Sequence, residues 1–510
     1  MRRFVQIGCL AFYLLLWPKV AAAAGGEGTS GGDLLRLLGY LVAWFLPLGL
    51  ALLTVGLSKP SRATEVATAF WLAVVAAVAG YYLCGYAFQF GGIGLVSADP
   101  ALADLVAEWS PLDLRLGPGW GVLGLRGFLP ALAEGTGEGG WLLLSQLPLV
   151  TTAVLLPLVT LNRRLPQLPR FLLALLVACV IYPLWGNWVR GGGWLANLGL
   201  TLGLGQGVVD YGLSGVYLLG AAAALAGLVS FRHYRSTALS PVPELPPAYL
   251  PLNALLGAIL ALVGWLAILL GQPLVLQPAD GAGLVIKALL LVAAALLGAL
   301  FYGWLAKGEP DLGLASRSVV AAMAAGGAGL PFLPLGVLLA LGALVGLFLA
   351  PAMYGVERGL KLEDEGAVLS ALGLPALVGL LAVGLFADGC FGVGGNAAAG
   401  GLVRGYFAAA GPGQLYAQWI GVGAILILAW GLPWVLLTIV ARAYVLPGAM
   451  RRRAILRAEQ LRRKRDAEER LRRQGGGLRV GQRIWMALLR REAAPALALR
   501  RRPRRPRVAA

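Results

Sequence analysis

The sequence predicts an all-α integral membrane protein of about eleven transmembrane helices, and three observations carry that reading. Hydrophobic residues make up 59% of the 510 residues, mean hydropathy is +0.78, and charged residues are only 13%. Water-soluble domains carry roughly 25% charged residues, so too few polar side chains exist here to cover the surfaces of several soluble domains.

In chain order, residues 1–24 read as a secretory signal: Arg2 and Arg3, a short apolar run interrupted by Lys19, then small residues at Ala21–Ala24. The alternative is an uncleaved first helix. Apolar stretches of spanning length, about 20 residues, follow near 34–57, 66–88, 141–161, 171–189, 214–231, 249–271, 282–306, 335–356, 366–387 and 416–444. A shorter Gly/Ala-rich stretch near 316–333 makes the eleventh, its small residues suited to close helix approach. Residues 34–444 thus form a membrane domain and 445–510 a basic tail. The connection around 89–140 is long, acidic and rich in Pro and Gly, and is expected to fold as a cap.

Charge sets the orientation. The formal charge of +18 sits almost wholly in the tail, where residues 451–510 hold 21 basic against 5 acidic side chains. With the mature N-terminus outside, the inward connections carry eleven Lys and Arg residues, from Lys59 and Arg62 through Lys307 and Arg317 to Lys361. The opposite loops carry four: Arg115, Arg126, Arg190 and Arg404. The positive-inside rule therefore gives N-out, C-in, with the tail cytoplasmic and the chain multi-pass in the inner (plasma) membrane. In the tail, Ile484, Trp485, Leu488 and Leu489 form an apolar stripe beside Arg483, Arg490 and Arg491. That pattern fits anionic lipid, docking on the protein's own cytoplasmic face being the alternative and nucleic acid the least favoured partner.

Cys9, Cys84, Cys179 and Cys390 are scattered without a CxxC pair, which argues against a disulfide framework or zinc site. No P-loop, Rossmann fingerprint or GxSxG is present, and no cofactor is expected. A channel or transporter is the natural class, rather than an enzyme.

Residues 182–199 (YPLWGNWVRGGGWLANLG), followed by Asp210 and DYGLSGVYLLGAAAALAGLV, resemble the ammonium transporter, methylamine permease and Rhesus protein family. Further stretches follow in that family's order: AFQFG at 87–91, NALLGAILALVGWLAILLG at 253–271, GEPDLGLASRSVVAA at 308–322, and GLKLEDEGAVLSALGLPALVGLLAVGLFA at 359–387. The 308–322 stretch matches the family's Lys-Pro-Ser-Leu-Gly-Ala-Ala-Ser-Gly segment. The resemblance implies a homotrimer of eleven-helix protomers, each an inverted five-plus-five repeat with one extra helix and its own narrow pore. It also implies an Asp, here Asp210, that is structural or tunes ion recruitment; helix capping is the simpler reading.

The same resemblance shows where this sequence departs. The Trp expected before the triple glycine is Arg190, and the first pore histidine falls at Tyr217, or at Leu218 because the alignment needs a one-residue gap. The second pore histidine falls at Leu372. The gate phenylalanines fall at Ser145 and Ile268, and the Asn after the second falls at Leu269. His233, in FRHYR on a loop, is read as a solvated residue that replaces neither pore histidine. A fixed charge at Arg190 would repel a cation by about 1–4 kcal/mol at 4 Å, unless the side chain pairs with Asp210 or a headgroup. Lys287, inside an apolar span, is a functional candidate by position, with snorkelling as the alternative. Tyr217, with an ordinary pKa of about 10, is a poor relay near neutrality, and a packed tyrosine with a satisfied hydroxyl is its simpler reading.

The sequence thus predicts an ammonium transporter-like membrane channel with an altered pore and no inherited proton relay. The alternatives are a non-conducting sensor, a subunit assembling with a conventional paralogue, or a channel for another small neutral or anionic solute.

Overall fold

Eleven helices run back and forth through the described part of the molecule, joined by mostly short connections. The computed structural model describes residues 31–97, 100–111, 120–129, 138–161, 165–231, 248–271, 281–364, 366–392, 401–408 and 411–442. Residues 1–24, read above as a leader, His233 and the tail beyond 445 lie outside them. Among the described residues nine helices are long and apolar enough to span a bilayer: α1 (Gly32–Leu57), α2 (Pro60–Leu95), α3 (Gly139–Leu161), α4 (Gln167–Arg190), α6 (Pro251–Gly271), α7 (Gly281–Lys307), α9 (Leu335–Gly359), α10 (Leu369–Phe386) and α11 (Gly413–Val440). Two shorter apolar helices complete the set, α5 (Ser214–Ser230) and α8 (Leu312–Gly326).

The short helices are short because they are interior. Nearly every residue of α5 and α8 is buried, so their ends meet protein rather than water. The stretch expected near 316–333 is corrected accordingly. The helix begins four residues earlier, where Asp311 caps it by accepting from Leu314 N at 2.9 Å, and ends at Gly326. Residues beyond it are non-helical and buried, a conformation tolerated at membrane depth only where protein satisfies the backbone. Here it does: Tyr211 N donates to Ala328 O (3.2 Å), Gly212 N to Gly327 O (2.6 Å), and Ala328 N to Ser214 Oγ (2.7 Å).

Small residues set the packing. A Cβ on Gly49 would stand 2.3 Å from Ala261 N, one on Gly264 2.2 Å from Leu46 N, and one on Gly257 2.3 Å from Leu53 N. The backbones of α1 and α6 are therefore in direct contact, as favoured where lipid removes the hydrophobic drive between helices. Other pairs repeat in two sets. α2 meets α4 through Gly80 against Cys179, as α7 meets α9 through Gly346 against Ala295 O. α3 meets α5 through Leu156 against Gly220, as α8 meets α10 through Ala325 O against Gly379. This is the pairing an inverted repeat produces, with α1 and α6 at its centre and α11 outside it.

Trp71, Leu297, Phe301, Trp304, Ile427 and Ile439 are exposed, giving an apolar outer surface. At one end, β1 (Glu108–Trp109) pairs antiparallel with β2 (Leu123–Gly124), and Trp120 stacks on Trp194 at 6.4 Å. At the same end β3 (Asp388–Gly392) pairs with β4 (Leu402–Arg404). This is the capped face; the other end, where α1 passes into α2, is the opposite face.

Candidate translocation path

Two aspartates organise the middle of the bundle, one from each half. Asp210 accepts from Ser214 N (2.7 Å) and Gly215 N (2.8 Å), anchoring the start of α5 at the capped face. Asp364 accepts from Leu369 N (3.2 Å), Ser370 N (2.9 Å) and Ser370 Oγ (2.9 Å), anchoring the start of α10 at the opposite face. Three residues after each aspartate the backbone turns left-handed, at Leu213 (φ 67°) and Ala367 (φ 52°). Such a conformation costs a non-glycine residue about 1–2 kcal/mol, and the carboxylate's bonds to the next N–H groups hold it in place. Burial pushes both carboxyls above the usual range, Asp210 against the opposing pull of Arg190 and Asp364 against that of the backbone N–H groups.

This doubled motif relates the two halves residue by residue. The carboxylate bonds equate Ser214 with Leu369 and Gly215 with Ser370, and therefore Tyr217 with Leu372. The extra residue in the second copy is absorbed by a π-type turn over Val368–Gly373, the kind of irregularity that collects at functional positions. The helices meet one turn further on, where a Cβ on Gly373 would come within 2.5 Å of Ala221 Cβ.

Around Tyr217 the path is shut. Tyr217, Val216, Ile268, Trp265, Leu149 and Leu46 line a space that admits no water-sized sphere. The Tyr217 hydroxyl and the Trp265 indole N–H are buried there without a hydrogen-bond partner among the described residues. The satisfied hydroxyl expected of Tyr217 is thus corrected: no acceptor or donor on a neighbouring helix reaches it. Leu372 lies beyond, on a second cavity that opens towards the opposite face and holds about 20 Å³ of water-accessible space. The structure therefore places Tyr217 and Ile268 together and puts Leu372 next along the path.

The remaining candidates sit to the side. Ser145 donates to Leu142 O (2.7 Å) and accepts from Gln146 Nε2 (3.0 Å), within a buried chain of polar groups. In that chain Gln89 Nε2 and the Tyr182 hydroxyl both donate to Gln146 Oε1 (3.1 and 2.6 Å), and the Tyr81 hydroxyl donates to Gln89 Oε1 (2.8 Å). Arg190 turns inward, 9% exposed, its Nη2 donating to Asp210 O (2.8 Å) and to Tyr211 O. It ties the end of α4 to the turn before α5 and does not present an open charge to an approaching cation. Lys287 Nζ donates to Leu333 O at 3.4 Å, near the buried turn after α8.

Two residues escaped the sequence reading. Asp364 was hidden by its one-residue offset from the Asp210 copy. Arg317, expected on an inward connection, lies inside α8 and is 3% exposed; its charge marked it as loop, whereas the Asp311 cap six residues upstream marks it as helix. Among the described residues there is no group of three or more His, Cys, Asp or Glu able to hold a metal ion.

An eleven-helix bundle with repeated pairings, an aspartate-anchored helix start in each half and a narrow apolar path between them defines a polytopic membrane protein of the transporter or channel class. Residues 35–449 match the Ammonium Transporter Family, and the chain belongs to that family. It is 25% identical over 409 residues to ammonium transporter Amt2 of Archaeoglobus fulgidus, covering 76% of this chain and 80% of that one. It is 24% identical over 386 residues to an ammonium transporter of Aquifex aeolicus, covering 75% and 83%. Among solved structures, Mep2 of Candida albicans superposes with a TM-score of 0.64 at 18% identity, covering 80% and 84%. A protein titled sensor Amt protein superposes at 0.62 and 17%, covering 81% and 93%.

Proposed function

We propose that this chain is a channel protein of its family that passes a small neutral solute of ammonia's kind and does not relay the proton that ammonium would leave behind. The observation that carries this reading is the pair Tyr217 and Leu372 at the equivalent positions of the two repeats. Leucine holds no proton, and a tyrosine hydroxyl with an ordinary pKa of about 10 exchanges one poorly near neutrality. The hydroxyl and the Trp265 N–H supply one two-way and one donor-only hydrogen-bonding atom to a solute crossing an otherwise apolar stretch. Neither carries a charge, so an ion losing its water shell there would have no replacement for it.

The test is uptake into proteoliposomes. Wild-type protein is expected to show ammonia flux above that of empty vesicles and no saturable uptake of labelled methylammonium. The double variant Tyr217→His/Leu372→His is the restoring control. Saturable methylammonium uptake by the wild type overturns the proposal.

A second reading, a non-conducting sensor or a subunit assembled with a conventional paralogue, is favoured by the closed stretch around Tyr217. Absence of ammonia flux in both wild type and double variant selects it. Under either reading the working assembly is a homotrimer in the plasma membrane with the basic tail on the cytoplasmic side. Those assignments rest on the family and on the loop charges; crosslinking and a C-terminal reporter fusion test them.

A further inference from the structure

We infer that the cavity between Leu372 and the opposite face is a binding site for one small monovalent anion, of chloride's size, held by the Arg317 guanidinium. This inference stands apart from the question of what crosses the path. Arg317 lines the cavity with Leu57, Ser58, Val159, Val368 and Leu372. It is 3% exposed, its Nε is buried without a partner, and it makes no hydrogen bond or ion pair within 4 Å among the described residues. An arginine cannot shed its proton to escape such a position, and a buried charge without a partner is costly enough that proteins pair it. Where the family segment ends in Gly, this chain has placed the charge on the path, and an ionisable group there is a functional candidate by position.

The carboxylates facing Arg317 are committed elsewhere. Asp364 is taken up by Leu369 N, Ser370 N and Ser370 Oγ. Asp311 holds Leu314 N and the Lys307 ammonium, at 2.9 and 2.5 Å. Glu357 acts on Arg317 only from beyond ion-pair distance. The free partner must therefore come from solution, through the cavity's open side. Its volume of about 20 Å³ sets the size. A water needs at least about 10–15 Å³ of such space, so the cavity has room for one small ion such as chloride or bromide. The Ser58 side chain, from the end of α1, lies on the same wall.

Equilibrium binding of radiolabelled chloride to the purified full-length protein tests this, with gluconate holding ionic strength constant. The wild type is expected to bind one ion per protomer, with bromide competing and sulfate not. Arg317→Gln is expected to lose binding at least tenfold, and Arg317→Lys, which keeps the charge, to lose less than Arg317→Gln. Thermal unfolding in the same salts gives a second readout: midpoint temperature rises with chloride in the wild type and not in Arg317→Gln. No saturable chloride binding by the wild type overturns the inference, as does equal binding by a folded Arg317→Gln protein or equal competition by sulfate. Because neither readout measures transport, failure here leaves the Tyr217/Leu372 reading standing, and failure of that reading leaves this one standing.

Discussion

Two buried arginines stand near the two buried aspartates, one at each end of the path, and they are used in opposite ways. Arg190 gives its Nη2 to the carbonyls of Asp210 and Tyr211, so it fastens the end of α4 to the turn that starts α5. Arg317 gives nothing to the protein and faces a cavity. The aspartates beside them are anchored alike, each by backbone N–H groups of the helix it starts. What differs is only whether carbonyls converge on the guanidinium. At Asp210 the irregular backbone of 208–213 turns its carbonyls inward; Arg317 sits in a regular helix whose carbonyls are already bonded. Residue type and burial therefore do not identify a functional charge; a guanidinium that makes no hydrogen bond to the described protein and lines a cavity does.

The largest expected effect breaks this comparison directly. Arg190→Leu removes the donor from two buried carbonyls and uncouples α4 from α5, at a cost of about 1–3 kcal/mol for each carbonyl left unsatisfied. Arg317→Leu removes a charge without protein partners and is expected to leave stability equal or higher in chloride-free buffer. Thermal unfolding of the two variants in the same detergent checks both. Equal losses would mean that Arg317 is as structural as Arg190.

Tyrosines on the path sharpen the same contrast at smaller scale. The Tyr182 hydroxyl donates to Gln146 Oε1 at 2.6 Å, inside the polar chain of α2, α3 and α4. Tyr182→Phe is expected to cost about 0.5–1.5 kcal/mol by removing one of the two donors to Gln146 Oε1. The Tyr217 hydroxyl has no partner to lose, so Tyr217→Phe is expected to be neutral or to stabilise by about 1 kcal/mol. Chemical denaturation of both variants measures the difference, and a clear loss in Tyr217→Phe would mean that its hydroxyl is engaged.

Much of this was legible in the sequence, and the parts that were not share a cause. Hydropathy located the spans because a bilayer imposes length and apolarity on them, and two residues singled out by the order of motifs, Tyr217 and Ile268, line one space. Hydropathy misjudged α8, since Asp311 and Arg317 look like loop residues when only their charge is counted; one is a cap and the other is buried. Arg190 was placed correctly along the chain but its direction was not readable, because backbone carbonyls leave no trace in composition. Asp364 was masked by the residue that the π-type turn absorbs, so its spacing to Leu372 differs by one from that of Asp210 to Tyr217.

The smallest effect probes which cation serves the acids at the opposite face. If Arg317 is uncommitted, Asp311 must owe its ionisation to others. Burial alone would raise its carboxyl, but the Lys307 ammonium and Leu314 N–H outweigh that and hold it below the ordinary value. A depressed acid stabilises the fold above its unfolded pKa, about 3.9, and loses that contribution as pH falls through its folded value. Asp311→Asn, which keeps the cap but loses the charge, is therefore expected to cost about 0.5–1 kcal/mol near neutrality, from the half-exposed Lys307 pair and the helix N-terminus, and nothing at the acid limit. Lys307→Met should move the acid unfolding midpoint of the wild type upward, while Arg317→Gln should leave it nearly in place. Unfolding followed against pH between about 3 and 7 separates the two. A larger shift from Arg317→Gln than from Lys307→Met would assign Arg317 to Asp311, and with it the positive charge now free for an anion.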